Sequence, residues 1–268
     1  MTLTKPPLVF DHYTSSNEGI VLTAKQIEPN NALLCEDQRV FDKAKYNTEV
    51  HSPLPVFNVN NALDGNWQRC LDMPLRLAGQ KQYYVPQEWA NLTNVVQQII
   101  NVEHAHNKNW EKYNCYLTID SSIVDVDLQQ RNSGLHVDGF QGARIDPKTK
   151  ITRNYVASNN GGTRFYPQRF NADLDDSRFN IFAGFDLQKQ HAVIGPENTV
   201  VFMNAYTVHE SGIAIRKGQR TFLRITFDLK EFDRQGNTHN GMLPTGWNMI
   251  TRDVHSMLLV PSAKDYLR

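Results

Sequence analysis

The spacing of apolar and polar positions changes twice along this chain. Residues 1–60 hold only short apolar runs, Leu8–Phe10 and Gly19–Thr23 among them, interrupted by Pro53, Pro55 and the Asn58–Asn61 segment. Strands and turns are expected there rather than helix. From Pro86 to about Glu103 the period is helical: Trp89, Leu92, Val96, Ile99 and Ile100 fall on one face, behind a proline suited to a first helical position. His104 and His106 follow. Two apart on a helix they do not face each other, so both are expected in solvent.

From Tyr113 onward the period is that of strands. Cys115–Ile119 is rich in the residues strands favour, and Ser121–Ser133 is polar, a loop or strand edge. Ile151–Ala157, a turn at Asn159–Gly162 and Thr163–Tyr166 read as a hairpin; so do Gly212–Ile215, a turn at Arg216–Gln219 and Arg220–Phe227. Between them lie Ala192–Ile194, the turn Gly195–Asn198 and the apolar run Thr199–Met203, while Pro167–Asn180 is polar and reads as an excursion or as a lid over residues 165–180. Trp247, Ile250, Val254, Met257 and Leu258 return to helical spacing. The expectation is a mainly β fold, a sandwich or barrel with flanking helices, in one domain spanning 1–268. Its parts are N-terminal strands and a supporting helix (1–112), a β core (113–230) and a helical extension (231–268).

Composition narrows the function classes. Lys+Arg and Asp+Glu are equal at 28 each, so no net charge draws the chain to nucleic acid or an anionic membrane. Cys35, Cys70 and Cys115 are odd in number and widely spaced, which fits reduced thiols in a cytoplasmic setting. No charged start followed by an apolar stretch marks a secretory signal, and no run of about 18 apolar residues marks a membrane span. A small-molecule partner, with the chain as monomer or homodimer, is the expectation.

Chemistry concentrates at His136-Val-Asp138. Two residues apart on an extended backbone, the imidazole and carboxylate share a face and can share one metal ion. A chain of this composition supplies about 0.6 such pairs by chance, so the pair needs partners to mean anything. His209, after the Thr199–Met203 run, is the candidate third ligand. Two histidines and a carboxylate leave coordination positions open, the set that suits non-haem Fe(II).

With these residues the chain resembles the 2-oxoglutarate/Fe(II)-dependent dioxygenases of the double-stranded β-helix (jelly-roll, cupin-like) fold. The matching segments are Leu135-His136-Val-Asp138-Gly139, then Val208-His209-Glu210-Ser211, then Gly218-Gln219-Arg220. Gly161–Phe165 and Gly195–Phe202 also resemble strands that separate the two ligand blocks in that family, and the likeness covers roughly residues 113–230. It implies Fe(II) on His136, Asp138 and His209, with 2-oxoglutarate and O2 as co-substrates and ascorbate in support. An Arg past the distal histidine would hold the far carboxylate of 2-oxoglutarate. Arg220 fits the family's usual interval better. Arg224 matches a longer spacing, and Arg224-Ile-Thr226 resembles the Arg-x-Ser pair of some branches. Tyr116 and Thr118, on one face of the preceding strand, correspond to co-substrate pocket positions.

Gln129, Arg131, Gln141, Arg144, Arg153 and Arg164 flank the expected mouth and are candidate substrate contacts. His191, His239 and His255 have no spaced partners and read as ordinary histidines. The implied activity is oxidation, by default hydroxylation, of an unactivated C–H bond in a small polar molecule such as an amino acid or natural-product intermediate. Two other readings stand beside it: a protein or peptide side-chain hydroxylase with an open groove, and a non-catalytic metal-binding sensor.

Overall fold

The computed structural model describes residues 18–28, 41–42, 44–131, 134–138, 152–170 and 192–249. In chain order the elements are β1 (Gly19–Thr23), α1 (Lys45–Thr48), β2 (Leu54–Asn58), β3 (Cys70–Arg76), β4 (Gln82–Pro86), α2 (Thr93–His106) and β5 (Asn114–Val124). Then follow β6 (Arg153–Ser158), β7 (Arg164–Phe165), β8 (Val193–Ile194), β9 (Thr199–Asn204), β10 (His209–Glu210) and β11 (Gly218–Asp228).

Strand pairing sorts most of these into two antiparallel sheets. The major sheet has six strands in the order β2-β9-β6-β11-β5-β3; the minor one has three, β10-β7-β8, extended by a bridge between His136 and His209. Sequence neighbours repeatedly sit in different sheets, which is the winding of a double-stranded β-helix. β2 and β3, from the N-terminal part, form the two edges of the major sheet.

Period-two alternation gives the major sheet two different faces. Leu117, Ile119, Tyr155, Ala157, Phe202, Leu223, Ile225 and Phe227 point to one side, where Val95, Val96, Ile99 and Ile100 of α2 complete the main core. Each such fully buried aliphatic side chain contributes about 1.5–3 kcal/mol. The opposite face carries Val156, Val201, Met203 and Phe222, which meet Phe165 of the minor sheet in a smaller apolar cluster. The candidate site lies on this second, inter-sheet side.

The expected helix is present but starts later. Gln87–Leu92 forms a 3-10 turn, with Pro86 extended before it and Trp89 fully buried at non-helical dihedrals. Its indole N–H reaches the Gln68 carbonyl at 3.4 Å, so burial of one large ring overrides regular helix. His104 and His106 are not in solvent. His106 is buried with Nδ1 2.7 Å from the Val102 carbonyl, and His104 stacks on Trp110 at 3.7 Å between ring centres.

Both expected hairpins are replaced by crossings between sheets. β6 pairs with β9 and β11, whereas β7 pairs with β10 and β8, so Asn159–Gly162 carries the chain from one layer to the other. Gly161 has φ +73°, and a Cβ on Gly162 would lie 1.8 Å from the Gly195 carbonyl oxygen; only glycine fits that approach. Likewise 213 bridges to Gln129 rather than folding back on β11. β5 runs on to Val124, so the polar Ser121–Ser122 stretch is strand, not loop. Residues 247–249 are not helical; the rest of the C-terminal helical pattern, Leu8–Phe10, Cys35 and all but the start of the 165–180 segment lie outside the described residues.

Cys70 and Cys115 are buried and unpaired, and burial pushes both thiols above their ordinary range. Arg153 corrects another expectation. It points to the α2 side of the major sheet, away from the site, where its Nε donates to both Glu103 carboxylate oxygens at 2.8 and 2.9 Å. Tyr155 Oη and Asn107 Nδ2 donate to the same carboxylate. Removing one partner of so buried a pair strands the other charge. Glu103→Leu is expected to lower unfolding free energy by about 3–5 kcal/mol in urea titration; a loss below about 1 kcal/mol would show that the pair is dispensable.

Candidate metal centre

Two short segments deliver the cluster, 134–138 and β10. His136 exchanges both backbone hydrogen bonds with His209, each 2.9 Å, so the two imidazoles emerge side by side from facing strands. Asp138 follows two residues later on the same face. One donor atom from each of His136, Asp138 and His209 lies within 4.8 Å of the others.

The donor chemistry suits a divalent cation. His136 Nδ1 and His209 Nδ1 each donate to a backbone carbonyl at 2.9 Å, Gly134 and Thr207 respectively. Each Nε2 therefore keeps its lone pair, the arrangement found in metal-ligating histidines. His209 Nε2 lies 4.0 Å from Asp138 Oδ1. Burial, then His136, pushes the His209 imidazole down to about 4, with Asp138 pulling the other way, so the ring is neutral near pH 7. Burial alone would raise the Asp138 carboxyl; Arg224 and the two imidazoles outweigh it and hold the group below the usual carboxylate range.

The cluster opens into a cavity of about 480 Å³. Arg69, Asp120, Arg131, Arg220 and Arg224 line it alongside His136, Asp138 and His209. The two arginines of β11 are held differently. Arg224 is neutralised twice, Nη1 donating to Asp138 Oδ1 at 3.0 Å and Nη2 to Asp72 Oδ1 at 2.9 Å. Arg220, 1% exposed, has Nε on the Asn160 carbonyl at 2.8 Å, Nη2 on the Gly161 carbonyl at 3.1 Å and Nη1 on Gln130 Oε1. All three acceptors are neutral. Burial, then Arg131, lowers Arg220 to about 10, and Asp120 only partly opposes this.

Other expected positions fall elsewhere. Tyr116 stacks on Phe232 at 4.0 Å and donates to the Lys230 carbonyl at 2.7 Å, outside the cavity. Thr118 is one step removed, its hydroxyl donating to Asp72 Oδ1 at 2.8 Å. Gln129 ties the chain to the Ser211 carbonyl at 2.8 Å and does not reach the cavity. Arg164, opposite Glu210 on β10 and 3.5 Å from its carboxylate, alternates away from the inward Phe165. Arg131 does line the cavity, over the Phe222 ring at 4.9 Å. His239 is exposed, as expected of an ordinary histidine; Gln141, Arg144, His191 and His255 lie outside the described residues.

Sequence reasoning passed over Asp72, Asp120 and Gln130. Asp120 was within reach, because it extends the Tyr116–Thr118 face by one more period of two. Gln130, whose amide donates to the Asp120 and Arg220 carbonyls at 3.1 and 3.0 Å, carries no pattern that separates it from Gln129.

No family model matches the sequence, and no curated protein matches it either. Among solved structures, the chain is similar to EvdO2 from Micromonospora carbonacea var. aurantiaca, complexed with 2-oxoglutarate, at 13% identity and a TM-score of 0.37. That match covers 72% of this chain and 93% of the other. It is also similar to an oxidoreductase of the 2OG-Fe(II) oxygenase family from Burkholderia pseudomallei, at 14% identity and a TM-score of 0.34, over 74% and 96% of the two chains.

The His209 geometry fixes a pH dependence. Its folded value, about 4, lies below the ordinary 6.5, so between those values the unfolded chain binds the extra proton. Stability present above about pH 6.5 is lost as pH falls toward 4. In metal-free protein, His209→Gln should flatten the decline of the urea midpoint over that window; an unchanged profile would contradict the assignment.

Proposed function

We propose that the protein is an Fe(II)- and 2-oxoglutarate-dependent dioxygenase acting on a small polar or anionic molecule. The observation that supports this most is the pairing, in one cavity, of an open His-Asp-His set with Arg220, a buried cation whose hydrogen-bond acceptors among the described residues are all neutral. A buried guanidinium in that state favours a carboxylate strongly, and its planar fork offers two parallel donors to one. Arg224, already shared between two carboxylates, has less to offer. Arg220 is therefore the anchor for the far carboxylate of 2-oxoglutarate, and His136, Asp138 and His209 are the metal ligands.

Iron(II) bound there, with 2-oxoglutarate and O2, supplies oxidative decarboxylation of the keto acid to succinate and CO2, coupled to oxidation of a substrate C–H bond. The chain's own residues do the rest. The Nδ1–carbonyl bonds fix both imidazoles with Nε2 inward, and Gln130 with the Asn160–Gly161 backbone holds the Arg220 plane. Val156, Met203 and Phe222 give the cavity an apolar wall that limits water. Arg131, 3.5 Å from the Asp120 carboxylate, is the candidate contact for a negative group on the substrate. A 480 Å³ cavity is of a size that takes a metabolite-sized ligand.

Purified protein with Fe(II), ascorbate and 2-oxoglutarate should release succinate, and His136→Ala should abolish the release. Arg220→Ala is expected to raise the KM for 2-oxoglutarate by about 100-fold, the loss of a charge-assisted pair in a desolvated site. An unchanged KM in Arg220→Ala, with a large rise in Arg224→Ala, would transfer the anchor to Arg224. No succinate across a substrate panel, with metal bound, would favour a sensor.

A further inference from the structure

β3 contains a defect that serves the metal centre. In a regular strand Cys70, Asp72 and Pro74 would share one face. Here Cys70 opposite Ile119 and Met73 opposite Leu117 both enter the main core, three residues apart, so one extra residue is absorbed between them. Asp72 absorbs it, at φ +45°, a left-handed conformation that Asp and Asn tolerate better than most residues. Without the bulge its carboxylate would fall on the helix-covered core. With it, the carboxylate stands on the inter-sheet side beside Thr118 and Arg224.

The carboxylate is then seated from two directions. Thr118 Oγ1 donates to Asp72 Oδ1 at 2.8 Å and accepts from the Asp72 amide at 3.0 Å. Arg224 Nη2 donates to the same Oδ1 at 2.9 Å, while its Nη1 donates to Asp138 Oδ1 at 3.0 Å. We propose that Asp72 is a positioning residue for Asp138, acting through Arg224. One edge of the planar guanidinium is held by Asp72, so only the other reaches Asp138. The contact orients the carboxylate, and Asp72 shares the cation so that Asp138 remains a good metal ligand. Freed from Asp72, Arg224 would place its whole charge on Asp138 and compete with the metal.

The role rests on the metal-centre reading above, and the test separates the two. Co(II) affinity of the metal-free protein is measured by calorimetry for wild type, Asp72→Asn and the double variant Asp72→Asn/Arg224→Met. Asn keeps the size and the left-handed backbone. Asp72→Asn is expected to bind Co(II) about tenfold more weakly, the usual scale for such supporting residues. The double variant, lacking the freed cation, should recover to within about threefold of wild type, a coupling that simple damage to the fold would not produce. Wild-type affinity in folded Asp72→Asn, or a double variant no better than the single one, would overturn the role while leaving the metal site standing. Absence of Co(II) binding in wild type would remove both. If Asp72→Asn does not fold, Thr118→Val, which removes the hydroxyl seating the carboxylate but no charge, is judged by the same affinity criterion.

Discussion

β11 has two faces, and the rest of the structure depends on keeping them apart. It pairs with β5 over eleven residues, Gly218–Asp228 against Asn114–Val124, and with β6 on its other edge. A slip of one residue would exchange the faces. Leu223, Ile225 and Phe227 would leave the α2 core, and Arg220 and Arg224 would enter it unpaired. The apolar core on one side therefore holds the register that places two guanidinium groups on the other. The cost of burying those groups is offset locally, by two carboxylates for Arg224 and by backbone oxygens for Arg220.

The two arginines divide the work. Arg224 is bound into the scaffold of the metal cluster through Asp72 and Asp138. Arg220 faces the cavity with no carboxylate among the described residues hydrogen-bonded to it. The proposed dianionic co-substrate would need that difference, because a fully neutralised pocket would give up the attraction that a buried carboxylate requires. The tight Gly162–Gly195 approach contributes from a distance. It sets the crossing between layers, and so the two carbonyls that grip Arg220.

Much of this is legible in the chain before any coordinates. The strand runs at Cys115–Ile119, Thr199–Met203 and Arg220–Phe227 follow from their branched and aromatic residues, and the apolar side of α2 follows from helical spacing. His136, Asp138 and His209 come together in space as their pattern implied. What sequence does not carry is partnership between sheets. Local turn chemistry at Asn159–Gly162 is the same for a hairpin and for a crossing, and the choice is made by strands tens of residues away. Asp72 is hidden for a related reason: a bulge reverses strand parity without any residue type announcing it. Arg153 was misplaced because neighbouring positions on a strand differ only in which layer they meet, whereas Tyr116 keeps the face of Thr118 and Asp120 but lies farther along β5, outside the cavity. Arg153 is claimed by the buried Glu103 carboxylate and Tyr116 by the Lys230 carbonyl and the Phe232 ring.

The reading proposed above puts a metal on His136, Asp138 and His209 and a carboxylate on Arg220 in one cavity. An anaerobic crystal structure with Mn(II) and 2-oxoglutarate is the decisive measurement. The metal is expected between the two Nε2 atoms and the Asp138 carboxylate, with the far carboxylate of 2-oxoglutarate paired to the Arg220 guanidinium. A metal bound elsewhere, or a far carboxylate that displaces Asp72 or Asp138 from Arg224 and leaves Arg220 untouched, would contradict it.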